Sequence, residues 1–145
     1  MKTEYQYYLD NTVVLALLFN KKMDLGGWIN RPLYTNVLTE LQCLNFFNRS
    51  WLSGDLEAES AQERMRFLHE TLAAVNRVEI DSNLLREASY LRSPDADADT
   101  ALHWATFKML REQLGPSLVL FSYDRSFLDA ARQEGWLCFQ DIEKD

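Results

Sequence analysis

The chain has 145 residues, 47% of them hydrophobic and 26% charged, enough to bury a core without help from disulfides or a structural metal. Its formal charge of −7 argues against broad, non-specific attraction to nucleic acid, which needs a basic face. The longest apolar run, residues 13–19, is far too short to span a bilayer, and the N-terminal Met1-Lys2-Thr3-Glu4-Tyr5-Gln6 lacks the apolar stretch of a signal peptide; the expectation is one domain over residues 1–145, cytoplasmic and without a membrane partner.

In chain order, residues 6–9 read as a first strand and 12–20 as an apolar helix, followed by a loop over 23–32 that carries Gly26-Gly27 and Pro32. Leu33-Tyr34 is at most a short strand, and a helix follows from about 36 to 48. Ala61, Met65, Leu68 and Leu72 recur at helical spacing. Val78 and Ile80 fit a short strand, and Asp81 is a natural N-cap for the helix that holds Leu84, Leu85, Ala88 and Leu91. Residues 93–99 are a loop rich in aspartate; residues 100–114 are helical, and Gly115-Pro116 stops that helix. Leu118-Val119-Leu120-Phe121 is the clearest strand, 125–134 a last helix ending at Gly135, and 136–139 a closing strand. Alternating strands and helices predict an α/β fold: a three-layer α/β/α sandwich around a mainly parallel sheet of four or five strands. Cys43 and Cys138 show no metal-ligand spacing and read as reduced core thiols.

The acidic residues carry the functional information. Asp10 directly follows the first strand, and Asp124 follows the clearest strand after only Ser122 and Tyr123. In an open parallel sheet the carboxyl ends of the strands converge on one crevice, so these acids, distant in sequence, can meet. Gathered carboxylates repel one another, and a hard divalent cation with oxygen ligands is the usual compensation. Glu40 is a third candidate: on a helical wheel of about 100° per residue it falls between Leu44 and Phe47, inside the apolar arc. A carboxylate placed there is paired, protonated or bound to a cation. Each aspartate also fits a plainer role as helix N-cap: Asp10 for the helix at Thr12, Asp99 for that at Thr100, Asp124 for the last. Lys21, Lys22, Arg31, Arg49, Lys108 and Arg125 fit either a local phosphate track or an ordinary solvated surface.

With these residues in place the chain resembles a known family. Tyr8-Leu9-Asp10-Asn11-Thr12-Val13-Val14 is similar to the opening strand and helix of PIN-domain ribonucleases, and Leu38-Thr39-Glu40-Leu41 to the family's second motif, with its inward glutamate. Ala101-Leu102-His103-Trp104-Ala105 resembles the third motif, and Phe121-Ser122-Tyr123-Asp124-Arg125-Ser126 the fourth. The order and spacing hold from about Tyr7 to Phe139. The resemblance implies a metal-dependent endoribonuclease of the VapC toxin type, with Mg2+ or Mn2+ held by Asp10, Glu40, Asp124 and a third-motif acid. It also implies an RNA substrate, an antitoxin partner and a homodimer, with Ser122 and Thr12 as supporting hydroxyls.

The third motif departs from the family pattern, because Thr100 stands where the acid belongs. Asp99 is the nearest replacement and Asp97 the other, either being able to swing in from a loop; His103 fits a phosphate contact or a plain helix position. The departure keeps open a catalytically weakened PIN-like module that binds RNA or protein. A receiver-like signalling domain fits poorly, since Asn11-Thr12 follows Asp10 where an acidic pair belongs and Gln140-Asp141 stands where a lysine belongs. Trp28, Phe46, Phe47, Trp51 and Leu52 supply more aromatic and apolar surface than one helix face easily buries, and read as either core or a partner surface for an antitoxin or a second subunit.

Overall fold

The computed structural model describes residues 4–19 and 31–142. Five strands, β1 (Gln6–Leu9), β2 (Leu33–Asn36), β3 (Asn76–Val78), β4 (Leu118–Phe121) and β5 (Leu137–Cys138), form one sheet in the order β3-β2-β1-β4-β5, and every neighbouring pair is parallel. Among the described residues seven helices surround it: α1 (Asn11–Phe19), α2 (Leu38–Leu52), α3 (Ala58–Ala73), α4 (Ser82–Ala88), α5 (Ala98–Leu114), α6 (Arg125–Gln133) and α7 (Phe139–Ile142). The result is the three-layer α/β/α sandwich that the alternation of elements predicts.

Period-two alternation in the strands builds the two halves of the core. Tyr7, Leu9, Val119 and Phe121 face α1, α2 and α3, where they pack with Val13, Val14, Leu17, Cys43, Phe47, Leu68 and Leu72. Tyr8, Leu118 and Leu120 face the other side and meet Leu84, Trp104, Phe107, Phe127 and Ala131 of α4, α5 and α6. All four residues of β4 are buried, which is why this strand is the clearest in the sequence. Both cysteines are buried free thiols, and burial pushes Cys43 up to about 12 and Cys138 up to about 11. Among the described residues no helix is long and apolar enough to cross a membrane.

Several boundaries differ from those expected. β2 runs on to Asn36, and α2 begins only at Leu38 but continues to Leu52. The third strand is Asn76–Val78 rather than one around Val78 and Ile80; its first two residues are exposed on a sheet edge and therefore polar, so no apolar alternation announces them. α5 is capped by Asp97, whose side chain accepts from the Thr100 amide at 2.8 Å, and not by Asp99. Phe139 belongs to a short helix rather than to the last strand. Gly115, at φ 93°, and Gly135, at φ 74°, end α5 and α6 in the left-handed region that glycine tolerates. The expected loop over 23–32 lies mostly outside the described residues.

Candidate functional site

The strand order reverses direction at β1: β2 and β3 lie to one side of it, β4 and β5 to the other. Such a switch point opens a crevice beyond the carboxyl ends of the two central strands. Asp10 and Asp124 both sit there, one residue after β1 and three residues after β4.

The two carboxylates are joined through hydroxyl groups. Asp10 is buried, and its Oδ1 accepts from the amides of Thr12 at 3.0 Å and Val13 at 3.3 Å and from the Thr12 hydroxyl. Ser122 Oγ donates to Asp10 Oδ2 and accepts from the Asp124 amide at 2.9 Å. Thr12 Oγ1 in turn accepts from the Tyr123 amide at 2.8 Å. Asp124 caps α6, its Oδ1 accepting from the amide and hydroxyl of Ser126 and from the Phe127 amide, while Thr100 Oγ1 donates to its Oδ2 at 2.6 Å. Capping and membership of the crevice thus coincide in both aspartates, and the two supporting hydroxyls, Ser122 and Thr12, lie where the sequence suggests.

The electrostatics of the pair are unequal. Burial pushes Asp10 up to about 6, against the pull of its bonds from Ser122, Thr12 and Val13, and the neighbouring charge of Asp124 adds to the rise. Burial also raises Asp124, but the hydrogen bonds from Thr100, Ser126 and Phe127 together outweigh it and hold that carboxyl below its ordinary value. Asp124 therefore stays ionised to lower pH than an ordinary carboxyl, while Asp10 takes up its proton at about pH 6.

Beside the pair runs a second polar chain. Tyr8 OH and Nδ1 of His103 lie 2.8 Å apart, as do His103 Nε2 and Gln42 Oε1, and Gln42 Nε2 donates to Asp99 Oδ2 at 3.2 Å. Burial lowers His103 to about 4 against the charges of Asp124 and Asp97, so the ring is neutral, accepting from Tyr8 and donating to Gln42. Of the two readings of His103, phosphate contact or plain helix position, this is a buried helix residue with both ring nitrogens occupied.

Glu40 does not take the inward position assigned to it. Its carboxylate lies 3.5 Å from His69 Nδ1 and 3.3 Å from Arg77 Nη1, on the side of α2 that faces α3 and the β3 edge. The apolar arc that seemed to enclose it rests partly on Leu41, which is 54% exposed; the buried stripe of α2 is Thr39, Cys43 and Phe47. Gln42, about 200° round the helix from Glu40, is the residue that reaches α5. Nothing in the sequence marks Gln42 except its place beside Cys43 in that stripe. Asp97 spends its Oδ1 on the helix cap, Asp99 is exposed and held by Gln42, and Thr100 itself is buried against Asp124. Of the four proposed ligands, then, Asp10 and Asp124 come together through the hydroxyl bridge, Asp99 lies beside Gln42, and Glu40 lies in a separate ion pair.

These donors do not fit a magnesium or manganese ion well. Every carboxylate oxygen of the Asp10–Asp124 pair already accepts a hydrogen bond, the third-motif position is a neutral hydroxyl, and among the described residues no three His, Cys, Asp or Glu side chains are grouped to hold a metal. Of the residues considered for a phosphate track, Arg31 bonds Tyr7 OH and Lys108 pairs with Glu87, while Lys21 and Lys22 lie outside the described residues. In the apolar patch Phe47 is core, Phe46, Trp51 and Leu52 are exposed, and Trp28 lies outside the described residues.

No protein-family model matches the chain, and no curated protein matches it. Among solved structures, the crystal structure of PAE2754 from Pyrobaculum aerophilum is similar, with a TM-score of 0.60 and 18% sequence identity over 97% of this chain and 93% of that one. At that identity the similarity is one of fold, and it agrees with the α/β/α sandwich described above.

Proposed function

We propose that the chain is a PIN-like domain with a weakened metal centre that works as a binding module, its partner a protein rather than RNA. The observation that carries this reading is the 2.6 Å hydrogen bond from Thr100 to Asp124, in which a neutral hydroxyl satisfies a carboxylate oxygen where the family resemblance implies an acid and a cation. The partner class follows from the surface. Net charge of −7 disfavours a polyanion, while Trp51 and Leu52 are 54% and 82% exposed beside a groove of about 300 Å³ between α2 and α3. A second subunit or an antitoxin-like segment would place apolar side chains there.

A second reading, a metal-dependent endoribonuclease acting as the toxin of a toxin–antitoxin pair with Mg2+ or Mn2+, draws support from one feature. Asp10 and Asp124 meet at the switch point, and the charge of Asp124 adds to the cost of ionising Asp10. Incubation of mixed-sequence RNA oligonucleotides with the purified protein and Mn2+ or Mg2+ separates the two. Intact RNA is expected; EDTA-sensitive cleavage that disappears in Asp10→Asn would establish the nuclease instead. Light scattering, alone and after co-expression with the product of the neighbouring gene, tests the partner, and a strictly monomeric protein that retains RNA but no protein would reverse that part.

A further inference from the structure

Between α2 and α3 the chain carries a groove with an apolar floor and an acidic rim. Phe47 and Trp51, one turn apart on α2, line it together with Ala58, Ala61 and Met65 of α3, and the two alanines are too short to fill the space beside the rings. The groove, of about 300 Å³, therefore stays open, with the half-exposed Trp51 as one wall. Gln62 lines it as well and is shared with a second recess of about 370 Å³ on α3, which Glu59, Glu63 and Arg66 complete.

The charge of this rim is unbalanced. Glu57, Glu59 and Glu63 are exposed and enter no ion pair among the described residues. Glu57 stands at the N-cap of α3 without a side-chain capping bond. The helix dipole accounts for an acid in the first turn, where Glu59 lies, but Glu63 is beyond that turn. Two neighbouring arginines leave the rim alone: Arg64 donates to the Leu18 carbonyl at 2.6 Å and covers the Phe19 ring, and Arg49 is about 200° round α2 from Trp51. Among the described residues that line the groove and the recess, Arg66 is the one cation.

We infer that this groove receives an amphipathic helix of a partner protein, whose apolar side chains enter between Trp51 and the two alanines and whose lysines or arginines meet Glu59 and Glu63. This rests on the reading of the chain as a protein-binding module, and it chooses between the two occupants which that reading leaves open. A two-fold contact with a second copy places the same patch on both sides, so it would set the acidic rim against itself. A helix laid in a groove is held by anchors at i and i+3 or i+4, and a rim of opposite charge fixes its direction and rejects wrong partners.

The test uses two synthetic helical peptides with identical leucine anchors, one flanked by lysines and the other by glutamates, each dye-labelled for fluorescence anisotropy. The parent chain should bind the lysine peptide, more weakly as salt rises toward about 0.5 M, and leave the glutamate peptide free. Trp51→Ala and Glu59→Lys/Glu63→Lys should each weaken the lysine peptide by at least about tenfold, and the second should take up the glutamate peptide. Glu112→Lys/Asp129→Lys, an equal change of net charge on α5 and α6, should leave binding as it is in the parent. No binding of the lysine peptide, equal binding of both peptides by the parent, or an equal loss in the Glu112→Lys/Asp129→Lys protein overturns the inference. A dimer seen by light scattering that Trp51→Ala dissociates overturns it too, by making a second copy the occupant, and leaves the protein-binding reading standing. EDTA-sensitive RNA cleavage by the parent would refute that reading itself.

Discussion

Replacing Asp10 by Asn separates two opposing proton-linked terms that the parent chain hides. Asp10 is raised from 3.8 to about 6, so the folded state holds its proton where the unfolded state has lost it. Stability from this group is fully present below pH 3.8 and is lost as pH rises through about 6; the difference of about 2.2 pH units corresponds to roughly 3 kcal/mol. His103 has the opposite sign. Its pKa falls from 6.5 to about 4, so stability is present above pH 6.5 and is lost as pH falls through about 4, again on the order of 3 kcal/mol. Both side chains are almost fully buried, so solvent screening discounts neither strongly. In the parent the two slopes nearly cancel between pH 4 and 6.5, and the stability profile across that window should be close to flat. Asp10→Asn keeps the shape of the side chain and the acceptor for Thr12 and Val13 but removes the titration, leaving the His103 slope exposed. Urea unfolding followed by tryptophan fluorescence from pH 4 to 7 should show the variant gaining about 3 kcal/mol on the parent as pH rises. Parallel profiles for the two proteins would refute the assignment of a raised carboxyl to Asp10.

Thr100→Val removes the hydroxyl that donates to Asp124 without opening a cavity, and should cost about 1 to 2 kcal/mol in urea unfolding at pH 7, since Asp124 is partly exposed and water relieves some of the loss. A cost below about 0.5 kcal/mol would mean that this bond contributes little to holding the crevice together. Glu40→Gln should change stability by no more than about 1 kcal/mol in urea unfolding, because its two partners are surface groups. A loss of several kcal/mol would mean that Glu40 is engaged by more than this surface pair.

The sequence by itself determined the α/β class, the parallel sheet, and the placement of Asp10 and Asp124 at strand ends, because strand and helix periods and N-cap preferences are carried by near neighbours. Thr12 and Ser122 were legible for the same reason, each lying two residues from an aspartate at a strand end. Only the tertiary structure decided the rest. Whether Glu40 or Gln42 reaches α5 depends on which side of α2 turns toward α5 and which toward α3, and a wheel drawn with the exposed Leu41 in its apolar arc points the wrong way. The pairing of Thr100 with Asp124 joins positions 24 residues apart and needs α5 packed against α6, and that of Ser122 with Asp10 joins positions 112 apart and needs β1 and β4 side by side. The short polar strand β3 likewise becomes a strand through its pairing with β2, since nothing in Asn76 or Arg77 favours an extended conformation before that partner is present.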